Sequence, residues 1–227
     1  MITARQVGSV RVHLLFHGIG APGPNIAESD RPYFVSRDLL LAVLDEIRDL
    51  PFISISFDDG YVSDVEVALP ALVARGLTAR FFPLAGHLGK SGYLDAGGMR
   101  ELARAGMTLG SHGMRHRSWR RMSASDVRVE LVEARRVLSA AAGAPIEEAA
   151  CPFGEYDRGA LAALRAHGYR TVYTSDRRRA RDGAWLQPRY SVRGGDSLES
   201  VRAQILSVPS MRDRVGGTVK GWLKSCR

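Results

Sequence analysis

The strongest constraint on this chain is a repeated grammar: a short apolar or β-branched run, a segment with helical spacing, a glycine, then the next run. Seven such runs read as strands, over residues 11–16, 52–57, 80–84, 108–111, 148–152, 170–174 and 189–192. Between them, Leu39, Leu40, Val43, Leu44 and Ile47 recur on one helical face, and Val127, Leu131, Ala134, Val137, Leu138 and Ala141 on another. Gly76, Gly106 and Gly168 close helices just before the next run, where a left-handed cap suits glycine. Such repetition builds either an open doubly wound sheet or a closed α/β barrel of parallel strands. No G-x-G-x-x-G or P-loop follows the first run, which weakens the nucleotide-binding version. With 227 residues, 45% of them hydrophobic, the chain can bury one sizeable core, so one domain over 1–227 is expected, with 208–227 as a basic tail or helix.

A barrel makes a test possible, because its strands deliver their carboxyl ends to one mouth. The residues with chemistry gather at those ends. His17 follows the first run, Asp58 and Asp59 end the second, and Ser111, His112 and His116 follow the fourth. Pro152, Phe153 and Gly154 end the fifth, and Arg189 lies at the seventh. Two adjacent carboxylates repel unless a cation neutralises one of them, and a divalent metal does so most strongly. His112 and His116, four apart, add two imidazoles to one aspartate, and no fourth protein ligand is evident. That stoichiometry leaves positions open for water, as a catalytic site does and a structural zinc site does not.

The stretches "SFDDG", "SHGMRH" and "CPFGEYD", in this order and at these separations, resemble the leading motifs of the polysaccharide deacetylase family, metal-dependent carbohydrate esterases that include chitin and peptidoglycan N-deacetylases. The resemblance runs from about residue 13 to residue 192. It implies a distorted (β/α) barrel of about seven strands, with Asp58 as general base and Asp59, His112 and His116 as ligands of a divalent metal, zinc ahead of cobalt, nickel or iron. It also implies an N-acetylated sugar or glycoconjugate as substrate, and an oxyanion contact from the backbone N–H of Phe153. Two departures stand out: no histidine follows His167, where family members carry a late general acid, and Ala150 replaces the customary arginine two residues before the motif proline. His17 is then the candidate acid or substrate contact, Arg189 the candidate to orient Asp58, and Asp58 itself is an alternative route for returning the proton. Tyr156 is placed as a sugar or acyl contact by its position after the fifth run, and Trp119 and Trp185, on loops near the mouth, fit either a sugar-stacking platform or surface packing. His87 is a further candidate for the mouth, while His13, His167 and Cys151 are read as structural.

Competing readings are a hydrolase of non-sugar amides or formamides and a non-catalytic glycan-binding relic. The net charge of +8 rests almost wholly on arginine, without the aromatic interleaving of a single-strand binder, so no nucleic acid is expected. With two cysteines, no long apolar run and no evident leader, a cytoplasmic protein is expected, with its basic tail able to approach an anionic inner membrane leaflet. The oligomeric state is left open.

Overall fold

The computed structural model describes residues 10–206, so the segment read as a basic tail or helix, 208–227, lies outside the described residues. Nine strands are present there: β1 (Val10–Phe16), β2 (Ile53–Asp59), β3 (Arg80–Pro83), β4 (Thr108–Leu109), β5 (Glu148–Ala150), β6 (Thr171–Thr174), β7 (Ala180–Arg181), β8 (Leu186–Pro188) and β9 (Tyr190–Ser191). β1 to β4 lie side by side and parallel, with Leu14 opposite Ile55, Phe57 opposite Phe81, and Phe81 opposite Leu109. β5, β6 and β8 form a second parallel set, with Ala149 opposite Val172 and Val172 opposite Leu186.

Two links close these sets into a ring. Ser111 bridges Ala149 in parallel, beyond the end of β4, and β9 pairs in parallel with β1, Leu15 opposite Ser191. The predicted seventh strand, 189–192, is present only as β9; β8 precedes it unforeseen, and the strand path breaks at Arg189 so that β8 joins one set and β9 the other. The expected parallel α/β ring is therefore present, and the break and the thin Ser111 link are its distortion. β7, which pairs antiparallel with the start of β1, was not foreseen. Its two residues are too few to leave a period in the sequence.

Period-two alternation sorts the strand residues. Val12, Leu14 and Phe16 face outward with Ile55, Phe57 and Phe81 into the larger core, where Phe57 stacks on Phe16 and Phe81 at 5.6 and 4.9 Å. Helix α1 (Arg37–Ile47) covers them with Leu40, Val43, Leu44 and Ile47, and its first turn is capped by Ser36, which accepts from the Leu39 N–H. Helices α2 (Leu69–Val73), α3 (Ala96–Arg104), α4 (Ala124–Val127) and α5 (Ala134–Ala142) follow, then α6 (Arg158–Ala166) and α7 (Leu198–Leu206). The helical spacing read through residues 127–141 survives, but the backbone widens into a π-type turn over Arg128–Glu133 between α4 and α5. Outside β5 and β6 a smaller core gathers Trp119, Leu131, Tyr156, Leu164, Tyr169 and Val172. Gly76, Gly106 and Gly168 take the positive φ expected of them, 65°, 77° and 72°. No helix among the described residues is long and apolar enough to cross a membrane.

Candidate active site and metal centre

The inward-facing residues of β2 are polar, whereas its neighbours also send Leu15 and Phe82 inward. Ser54, Ser56 and Asp58 follow one another on this face, and Asp58 stands where the strand reaches the mouth. Continued alternation would send Asp59 outward beside Phe57. Instead its φ is 73°, a left-handed conformation rare outside glycine, and the turned backbone carries both carboxylates to the same mouth.

Arg189, at the break between β8 and β9, is fully buried and reaches across the ring. Its Nη1 and Nη2 each donate to Asp58 at 2.7 Å in a two-point clamp, Nη1 also donates to Ser56 Oγ at 3.0 Å, and Nε donates to the Thr174 carbonyl at 3.2 Å. Burial would raise the Asp58 carboxyl, but the adjoining guanidinium holds it below the ordinary carboxylate range. Asp59 has no such clamp: burial first, and then the neighbouring Asp58 charge, push its carboxyl well above that range.

Beside Asp59 stand the two histidines, His112 Nε2 at 3.5 Å and His116 Nε2 at 3.4 Å from Oδ1. All three atoms lie within 4.8 Å of one another. Asp59 Oδ1 is buried and has no hydrogen-bond partner in the protein. The His112 ring is oriented from behind, because Nδ1 donates to the Ala150 carbonyl at 2.8 Å and leaves the Nε2 lone pair facing Asp59. Burial lowers the His112 ring to about 3, so it stays neutral, as a ligand must. Ligands at about 2.0–2.1 Å around a tetrahedral ion stand roughly 3.4 Å apart, so this donor set fits one divalent cation with positions to spare.

These groups floor a cleft of about 400 Å³ that His17, Tyr33, Phe153, Ser175, Arg177 and Arg193 also line. His17 is partly exposed, with a buried Nδ1 that has no partner, and burial lowers its ring to about 4. Phe153 sits in the turn Pro152–Gly154 with φ 57°, and its ring stacks on His116 at 4.4 Å. As the second residue of that turn, its N–H has no intrahelical acceptor.

Other sequence readings need correction. Tyr156 is buried in the smaller core and donates to Asp176 Oδ2 at 2.9 Å, away from the cleft. Trp119 is fully buried in the same core, and Trp185 donates to the Tyr169 carbonyl beneath the Arg165 guanidinium, so neither indole is a platform at the mouth. The large apolar area of such rings favours packing against the core over exposure at the mouth. His87 does reach an adjoining arm of the cleft, with Asp30, Lys90, Tyr93 and Arg115. His13 is buried within the ring. Missed altogether were Asp30, Arg177 and Arg193, on irregular loops, and Tyr33, in the single turn Arg31–Tyr33, whose approach to the mouth no periodicity announces, and Ser56, whose place in the alternation could have shown it.

A parallel α/β barrel with an Asp/His/His donor set and an arginine-clamped aspartate at its mouth defines a class of protein able to seat one metal beside a carboxylate base. The polysaccharide deacetylase family matches residues 47–172, and the chain belongs to it. It is 26% identical over 122 residues to YxkH of Bacillus subtilis (strain 168), named as a polysaccharide deacetylase, a match spanning 54% of this chain and 44% of that protein. Among solved structures it resembles the Streptococcus pyogenes deacetylase PplD in complex with acetate, with TM-score 0.76 and 20% identity over 87% of this chain and 99% of that one. IcaB from Ammonifex degensii is similar at TM-score 0.71 and 22% identity, over 88% of this chain and 98% of that one. At these identities the solved structures bear on fold alone.

Proposed function

We propose that this protein is a metal-dependent hydrolase that removes the acetyl group from an N-acetylated amino sugar in a glycan or glycoconjugate. One observation carries the reading: an ionised, arginine-clamped Asp58 lies beside an unpartnered Asp59 oxygen that faces two neutral imidazole nitrogens on the floor of a cleft. Family membership directs that chemistry to acetylated sugars. Asp59, His112 and His116 would hold the ion, zinc first, with cobalt, nickel or iron as alternatives. When bound, such an ion supplies Lewis acidity that acidifies water and polarises an acyl carbonyl.

The chain's own groups do the rest. Asp58 accepts the proton of the attacking water, and Arg189 fixes both its direction and its charge. The Phe153 N–H donates to the oxygen that gains negative charge as water adds. For the proton that the departing amine needs, Asp58 is better suited than His17. A ring lowered to about 4 is uncharged at neutral pH, and a neutral imidazole is a weak acid. His17 then acts as a substrate contact at the cleft wall.

The test is metal content by inductively coupled plasma mass spectrometry on untagged protein, followed by acetate release from acetylated sugars and from simple amides. About one ion per chain, lost in a His112→Ala His116→Ala variant, with turnover of the sugars only, is expected. Protein that stays empty after incubation with each ion sinks the proposal, and turnover of simple amides alone would transfer it to the non-sugar reading. His17→Ala should raise KM and leave kcat within tenfold; a loss of roughly 10²–10⁴ in kcat would make it the acid after all.

A further inference from the structure

Both proposed histidine ligands sit on one short loop, residues 112–116, with no regular structure of their own. His116 is in the left-handed region at φ 50°, and Gly113 is at φ 87°. A loop so conformed keeps its shape only if its surroundings over-determine it. On one side the turn after β3 does this: the Ala85 and Gly86 N–H groups donate to the Gly113 and Met114 carbonyls at 2.9 and 3.0 Å. Elsewhere a buried carboxylate holds the N–H groups that follow Gly113. Glu130, from the π-type turn between α4 and α5, is buried at 1% exposure and lies outside the cleft. Its Oε2 accepts from the Met114 N–H at 2.8 Å and from the Arg115 N–H at 3.3 Å.

Contact between this carboxyl group and the loop is close enough to dictate sequence. A Cβ on Gly113 would lie 2.6 Å from Glu130 Oε2 and 3.2 Å from the Trp119 indole nitrogen. The fully buried Trp119 and Glu130 thus form a wall against which only glycine can lie. The widened turn gains meaning from this, since such turns re-aim side chains that a regular helix would carry elsewhere.

We propose that Glu130 is the positioning residue of the metal centre: by holding the Met114 and Arg115 N–H groups it sets the separation and aim of His112 and His116. It rests on the metal reading above. No atom of Glu130 takes part in the reaction; it acts through loop shape, and loss of that shape is felt as lost metal affinity.

The test compares Glu130→Ala and Glu130→Gln with wild type by competitive zinc titration against a chromophoric chelator and by the visible absorption of the cobalt(II)-loaded proteins. Glu130→Ala should weaken zinc binding by roughly 10–100-fold and alter the cobalt bands, while far-ultraviolet circular dichroism stays native. Glu130→Gln, which keeps a carbonyl acceptor of the same reach, should lose less than tenfold. If Glu130→Ala lowers the melting temperature but binds zinc as wild type does, the residue is only packing and the proposal is overturned. Should Glu130→Ala fail to fold, Gly113→Ala takes its place: it retains Glu130 but drives a methyl into Oε2, and unchanged zinc affinity there is equally fatal. A wild type that takes up no metal overturns the proposed function and this inference with it, whereas a wild type that binds zinc no better than Glu130→Ala overturns this inference alone.

Discussion

The two faces of the barrel wall, built from the same strands, follow opposite rules. Outward, β1 and β2 present Val12, Leu14, Phe16, Ile55 and Phe57 to an unbroken apolar core. Inward, the alternate residues are mostly polar: His13, Ser54, Ser56 and Asp58, with Leu15 among them, are met from across the ring by Gln187 and Arg189. Burial of apolar area is non-directional and tolerates approximate shape, so the outer face can supply stability without fixing any one atom. Buried polar groups must be matched partner by partner, so the inner face fixes positions at a cost in stability.

The sharpest way to break this contrast is at Arg189. Arg189→Leu leaves the Asp58 carboxylate buried with no compensating charge and should destabilise by about 3–5 kcal/mol in equilibrium denaturation. The Asp58 carboxyl would also rise, because the clamp that opposes burial is gone. The acid limb of the kcat/KM profile should therefore move to higher pH in whatever fraction folds. Stability within 1 kcal/mol of wild type, with an unmoved acid limb, would show that the inner face is not the matched network described above.

The outer face should answer differently. Leu44 on α1 is fully buried among apolar neighbours, and Leu44→Ala should cost about 2–5 kcal/mol through lost transfer energy and the cavity left behind. Its kcat at a temperature where the variant is folded should stay at the wild-type value. A kcat that falls in proportion to stability would mean that outer packing also sets the site.

What the sequence disclosed follows the same division. The outer face was legible because apolar residues recur with the period of their element: Leu40, Val43, Leu44 and Ile47 on a helix, Val12, Leu14 and Phe16 on a strand. The carboxylate pair and the two histidines were legible because adjacent like charges need a cation, and two imidazoles four apart at another strand end supply the rest of a donor set. Period could not disclose β8, since only residues 189–192 read as a run, whereas Leu186–Pro188 pairs with β6 and Tyr190–Ser191 with β1 on either side of Arg189. It could not disclose Glu130 either. On a helix that residue reads as one more solvated charge, and only the folded loop shows that its carboxyl oxygen holds two N–H groups. Tyr156 failed for the opposite reason, because proximity to a motif in sequence says nothing about the side on which a side chain is buried.

The inner face should also answer to pH. His13 has both ring nitrogens engaged as a neutral ring: Nε2 donates to Gln187 Oε1 at 2.8 Å, and Nδ1 accepts from Ser54 Oγ. Burial lowers its pKa to about 4, assisted by the Arg80, Arg189 and Arg11 charges and opposed by the Gln187 bond. Between about pH 4 and the ordinary value of 6.5 the unfolded chain therefore binds more protons than the folded one. Stability is then fully present above that window and falls as the pH drops through it. His17, His87, His112 and His116 are lowered in the same direction by burial, so wild type alone cannot isolate His13. Comparison with His13→Gln can, because the other four rings are common to both proteins. Urea denaturation from pH 7 down to 4.5 should show wild type losing on the order of 2 kcal/mol more than the variant. Parallel curves would mean that the ring accepts its proton in place, and the inner face would then be looser than its hydrogen bonds require. A steeper wild-type curve would show that a group remote from the mouth contributes to the pH range over which the Asp58 and Arg189 clamp survives.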